Sequence, residues 1–336
     1  MAGGRRENEP DWRPDLLGDR YEQVTLPLEA DDEGDVVATL VRYRPKFRFR
    51  LTPGAAADCD VLYVHGWSDY FFQTELAEFW ADAGARFYAL DLRKYGRSLR
   101  EGQTPGFVTS LATYDEDIEA ALAAMGRPID GPRSARPLIL LGHSTGGLTL
   151  ALWAARHPDV ASALILNSPW LEFQASRIGR EAVTPLIDLS ARVDPRGGLP
   201  NVDLGFYTRA VAEEEGGEWK YDHAWRPNRG FPASAAWLSG VLAAHARVAA
   251  GIDVGAPVLT LLSKRTTILA RWSEEMRSSD SVLVVDEMAE RALRLGPSVT
   301  VERIDGALHD VFLSRPEVRR DAYRRVTRWL RGFAPV

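Results

Sequence analysis

Hydrophobic and polar positions along this chain follow two periods. "YEQVTLPL" and "DVVATLVRYR" alternate residue by residue, the pattern of half-buried strands, and predict an antiparallel hairpin near the start. "CDVLYVHG", "RFYALDLR", "RPLILLG", "ASALILNSP", "APVLTLLS" and "PSVTVERID" are short apolar runs that predict buried strands. Between them, "TELAEFWADAG", "TYDEDIEAALAAMG", "GGLTLALWAARH", "VVDEMAERALRLG" and "RPEVRRDAYRRVTRWLRGF" predict helices. Their ends carry the expected signals: Gly84 and Gly126 just past two helices, Asp115 and Glu116 in a first turn. Strands alternating with helices imply right-handed crossovers, hence an α/β fold with a mostly parallel central sheet and helices on both faces.

Two stretches break the alternation. Residues 1–20 read as a polar, Pro-containing arm with little core of its own. Residues 168–232 are too long for a structureless loop and carry Trp170, Phe173, Phe206, Tyr207, Trp219, Tyr221, Trp225 and Phe231. They predict a helical cap inserted into a core formed by residues 21–167 and 233–336.

Composition narrows the classes. Of 336 residues 45% are hydrophobic and 26% charged, with net charge −6, so neither nucleic acid nor an anionic membrane surface is an expected partner. No apolar run approaches the ~20 residues of a spanning helix, and no apolar signal segment appears at the amino end. One cysteine, Cys59, excludes an internal disulfide. A cytoplasmic protein without integral membrane association is expected.

The chemistry lies in "LGHSTGG", a G-x-S-x-G match with a strand before it and a helix after it. The context carries more weight than the motif. Ser144 must stand on a sharp turn, where side chains two residues before and after would collide, and Gly142 and Gly146 remove them. A serine hydroxyl needs a base. Among the histidines after Ser144, His157 closes a helix, His223 lies in the cap, and His245 lies in an Ala-rich helix. His309, in "IDGALHDVFLS", follows the last strand at the sheet edge that carries Ser144. The acid must come from the long segment after "APVLTLLS". Asp280 and Asp286 are the candidates, and Asp280 is preferred because Asp286 directly precedes a helical run and fits an N-cap. Two backbone N–H groups should form an oxyanion hole: Thr145, following the nucleophile, and Trp67, in "HGWSDYF". His65 reads as a structural residue of that loop.

Together "HGWSDY", "LDLRKYGRS", "GHSTGG" and "GALHDVFLS" resemble the α/β-hydrolase superfamily, in the branch of monoacylglycerol lipases, lysophospholipases and serine aminopeptidase-like hydrolases. The resemblance runs from Tyr21 to the carboxyl end. It implies Ser144 as nucleophile, Asp280 as acid, His309 as base, Trp67 and Thr145 as oxyanion donors, a helical cap, and neither cofactor nor metal. Two features depart from the pattern: Lys94-Tyr95 replaces a Gly-and-His pair, and the acid loop is longer. The expected activity is hydrolysis of a small ester with an apolar acyl or aryl group. An aminopeptidase using Glu213, Glu214 and Glu215 to hold a substrate ammonium is a second reading. A non-catalytic hydrolase fold that binds a ligand is a third, and would be expected to lack a triad member.

Overall fold

The computed structural model describes residues 10–46, 52–132, 134–173, 176–199 and 204–333. The chain begins with β1 (Arg13–Pro14), β2 (Tyr21–Asp31) and β3 (Gly34–Tyr43), followed by β4 (Asp60–Val64), α1 (Thr74–Asp82), β5 (Arg86–Asp91) and α2 (Tyr114–Ala124). Next come β6 (Leu138–His143), α3 (Thr145–Arg156) and β7 (Ala163–Asn167). Helices α4 (Ser176–Val193), α5 (Phe206–Val211) and α6 (Ala235–Ala250) precede β8 (Val258–Ser263), α7 (Val285–Ala292), β9 (Val299–Ile304) and α8 (Pro316–Phe333).

The strands form one sheet in the order β1-β2-β3-β5-β4-β6-β7-β8-β9. It is parallel from β5 to β9, while β1, β2 and β3 make an antiparallel edge joined to β5. Both faces of the central strands are buried, which is why they read as continuous apolar runs. Along β4, Val61 and Tyr63 enter the core beneath α1 and α8, while Leu62 and Val64 enter the one beneath α2, α3 and α6. Ile139 and Leu141 of β6 alternate with Leu138 and Leu140 in the same way. Cys59, just before β4, is buried.

Residues 1–9 of the expected arm lie outside the described residues. From Pro10 onward the arm is bound to the body. Arg13 and Pro14 pair with β2, and the Trp12 ring lies under the Arg42 guanidinium at 4.0 Å. Asp15 is buried and receives a bidentate pair from Arg97, at 2.7 and 3.0 Å. Two residues of strand and a lone carboxylate have no period, so local sequence does not announce them.

Between β7 and β8 the chain leaves the sheet and builds α4, α5 and a short 3₁₀ turn at Glu213–Glu215 before α6 returns it. Many of its aromatics pack onto the body. Trp219 and Tyr221 lie against Phe72, Trp225 against Tyr70, and Trp170 against His245. No helix among the described residues is long and apolar enough to cross a membrane.

Candidate active site

Four chain segments meet at the carboxyl edge of the sheet, where the crossovers of an open α/β sheet leave a crevice. Ser144 stands between β6 and α3 with φ 50° and ψ −116°, in the left-handed half of backbone space that a non-Gly residue occupies only under constraint. The constraint is visible at the flanking glycines. A Cβ on Gly146 would sit 2.2 Å from the His65 carbonyl oxygen, and one on Gly142 2.6 Å from the Gly147 Cα. The expected reason for both glycines is thus met by backbone atoms that have nowhere to go.

His309 follows β9. Its Nδ1 lies 3.0 Å from Asp280 Oδ2. Asp280 is fully buried, and its Oδ1 accepts the N–H groups of Val282 and Leu283, each at 2.8 Å. The unusual length of the acid loop has a simple geometry. The chain leaves β8, makes its excursion, and returns to pair Asp280 with Thr266, so the acid sits just beyond the strand end. Asp286 lies in the first turn of α7, pairs with Arg303 and is 79% exposed.

The loop after β4 passes directly over the serine. A Cβ on Gly66 would lie 3.0 Å from the Ser144 Cβ, which brings the Trp67 backbone beside the nucleophile. Thr145 opens α3, so its N–H is among the helix-start donors without an intrahelical acceptor. His65 ties this loop to the next: its Nε2 accepts the Leu92 N–H at 3.1 Å and its Nδ1 faces the Gly66 carbonyl at 2.7 Å. That pairing fixes a neutral tautomer, and burial lowers its pKa further from the ordinary value. Of the other histidines, His157 bonds the Trp153 carbonyl at the end of α3, His245 faces the Trp170 carbonyl, and His223 pairs with Glu214. Glu213, Glu214 and Glu215 are exposed, two of them engaged by Lys220 and His223, at the surface of the insertion.

Several site residues have no sequence signal of their own. Asp310 accepts from Asn167 Nδ2 at 2.6 Å and Gln73 Nε2 at 3.2 Å, tying the His309 loop to the ends of two other segments. His143, directly before the nucleophile, stacks obliquely on His309 at 5.0 Å. It lies 3.6 Å from Asp69, an ionic contact too long for a hydrogen bond. Burial opposes its charging, but the nearby Asp310 and Asp69 outweigh that and raise its pKa from the ordinary value. Asp69 and Asp310 sit inside the quoted motifs, next to the residues already singled out, and adjacency is the signal that was available. Arg226 of the insertion has none.

The sheet order and the serine turned at its carboxyl edge define an α/β-hydrolase. Over residues 55–315 the chain matches the family described as serine aminopeptidase, S33, and it belongs to that family. A monoacylglycerol lipase of Mycolicibacterium smegmatis is 29% identical over 136 residues, which is 40% of this chain and 43% of that protein. A (lyso)-N-acylphosphatidylethanolamine lipase of Homo sapiens is 36% identical over 90 residues, 25% of this chain and 22% of that protein. The aligned stretches thus span less than half the length of these curated relatives. A monoacylglycerol lipase of Paleococcus ferrophilus superposes with a TM-score of 0.61 at 21% identity, covering 84% of this chain and 97% of the other. A lipase in an open form gives 0.63 at 17% identity, covering 94% and 100%. At these identities the likeness establishes the fold.

Proposed function

We propose that this chain is a serine hydrolase that cleaves carboxylic esters with an apolar acyl or aryl group through an acyl-enzyme. The observation that carries the reading is the His309–Asp280 hydrogen bond at 3.0 Å, together with a serine held at φ 50° on the turn after β6. Asp280 orients His309 by occupying Nδ1, which leaves Nε2 as the nitrogen that takes the Ser144 proton. Ser144 Oγ attacks the acyl carbon. The backbone N–H groups of Trp67 and Thr145 receive the developing oxyanion. His309 returns its proton to the leaving alcohol, and water repeats the sequence on the acyl-enzyme. No cofactor or metal enters these steps.

Residues 168–232 act as a cap over the site, and their apolar side chains receive the acyl group. The names of the relatives, a monoacylglycerol lipase and a (lyso)-N-acylphosphatidylethanolamine lipase, support a lipid-like acyl ester. The aminopeptidase reading needs a carboxylate in the site to hold an ammonium. The acidic run put forward for it is exposed, which favours the ester. We place the reaction in the cytoplasm, in keeping with a single buried cysteine.

The test is labelling of the wild type by a fluorophosphonate, beside hydrolysis of p-nitrophenyl esters from C2 to C16, monoacylglycerols and an aminoacyl-anilide. Ser144→Ala should neither label nor turn over while keeping its fold. A wild type that does not label, or a variant that does, overturns the proposal.

A further inference from the structure

Asp69 lies two residues past Trp67 and touches both the nucleophile turn and the segment inserted between β7 and β8. Its Oδ2 lies 3.6 Å from His143 Nδ1, one residue before the nucleophile. Its Oδ1 lies 3.2 Å from Arg226 Nε, on the segment inserted between β7 and β8. The Asp69 and Arg226 side chains are each only 5% exposed. A guanidinium is buried there because rings surround it: Tyr221 at 4.5 Å, Tyr207 at 5.2 Å and Phe72 at 5.7 Å. The Tyr207 ring in turn packs edge-on against His309 at 5.4 Å.

The neighbours of Asp69 make matching contacts with the same segment. Ser68, held at φ 51°, accepts the Phe231 N–H at 2.9 Å. Trp67 Nε1 donates to the Phe231 carbonyl at 3.2 Å, and the Tyr70 hydroxyl accepts the Asp222 N–H at 2.7 Å. The strained loop that carries the Trp67 N–H is therefore held on its outer side by residues 222–231 and on its inner side by the nucleophile turn.

We infer that Asp69 is a positioning residue: by binding Arg226 of the cap and His143 of the nucleophile turn at once, it sets the Trp67 N–H at the distance the oxyanion requires. The inference rests on the proposed ester hydrolysis for the oxyanion role, and on the contacts alone for the hold on the loop. A shift of well under 1 Å in an oxyanion donor is felt in kcat, because the donor acts on charge that exists only in the transition state. Ground-state binding of a short ester does not use it.

Four variants and the wild type are compared on p-nitrophenyl acetate. Arg226→Met and Asp69→Asn should each lower kcat about tenfold or more, with KM within about twofold of wild type. The double variant should be no slower than the slower single, since both remove one contact. Arg226→Lys, which keeps the charge among the rings, should recover most of kcat. Hydrogen exchange of the 66–72 peptide is followed on the same proteins, and should speed up in Arg226→Met and not in Arg226→Lys while the melting temperature holds. Losses that multiply, that fall in KM, or that leave loop exchange unchanged overturn the inference. If the wild type hydrolyses no ester, the proposed function fails, and loop exchange still decides the Asp69 contact.

Discussion

Asp280 divides its carboxylate between two tasks: Oδ2 faces His309 Nδ1 at 3.0 Å, and Oδ1 accepts two backbone N–H groups of its own loop. The loop bonds hold the carboxylate still, so the ring opposite is held too. Asp280→Asn can keep the loop bonds but presents an amide to Nδ1, which favours the wrong imidazole tautomer. Turnover should fall by roughly 10⁴, the size of the effect when a triad acid is neutralised. Asp286→Asn, at an exposed ion pair, should leave turnover intact and change stability by about 0.5 kcal/mol or less. Steady-state kinetics on both variants check this, and the opposite pattern moves the acid to Asp286.

Gly146→Ala should destabilise the fold by about 3 kcal/mol or more, because the new methyl meets two carbonyl oxygens of the β4 end and no side chain can yield. The distances are 2.2 Å to the His65 oxygen and 2.5 Å to that of Val64. Gly332→Ala, with nothing within 4 Å of its added carbon, is the matched control. It should be neutral or stabilising by about 0.5–1 kcal/mol as a helix substitution. Urea unfolding of the two proteins reads the difference.

Glu33, at the turn between β2 and β3, is bonded by Lys94 Nζ at 2.5 Å, Thr104 Oγ1 at 2.6 Å and Arg196 Nε at 3.1 Å. Burial opposes its ionisation, but the bonds from Lys94 and Thr104 prevail and hold its pKa at about 2, below the ordinary 4.5. The native state therefore binds fewer protons than the unfolded chain between these values. Stability from this group is complete above about pH 4.5 and is lost as pH falls through about 2, a span worth roughly 3 kcal/mol. Glu33→Gln should flatten the stability profile across that window. Equal slopes for variant and wild type would show that the carboxylate does not titrate as described.

The cap makes its own prediction. Helix α4, in the proposed cap, carries Leu186, Leu189 and Val193 at 69%, 60% and 79% exposure. If the cap grips an acyl chain, kcat/KM should rise with each added CH₂, by up to about 0.8 kcal/mol per step, before a plateau. Replacing residues 168–232 with a short Gly-Ser linker should flatten that rise. Activity highest on acetate and falling with length in the intact protein would exclude the gripping role.

The central strands and the serine turn were legible because each is local. "DVLYV" is buried on both faces, and "GHSTGG" sits between a strand and a helix, so a window of a few residues contains the reason for each. Sequence prefers Asp280 to Asp286 only through the helix that follows Asp286, a weaker ground than a motif. Both stand in polar surroundings after the same strand, and it is the bridge from Thr266 and the bond to His309 that single out Asp280. The Asp69–Arg226 pair lies further out of reach. Its neighbouring contact, Ser68 to Phe231, joins residues 163 positions apart, and no period records such a meeting. The acidic run Glu213–Glu215 illustrates the converse: three adjacent carboxylates look the same in sequence whether they face a site or, as here, the surface.

Cys59 is the chain's one thiol, buried just before β4, and burial pushes its pKa up from the ordinary value. Maleimides and iodoacetamides react with exposed thiolate, so the native protein is close to inert towards them. A cysteine introduced on α4, at Leu189 for instance, would then be the single fast-reacting point on the surface. One fluorophore or spin label could be attached there without removing any native residue, and the distance from cap to sheet followed in solution molecule by molecule.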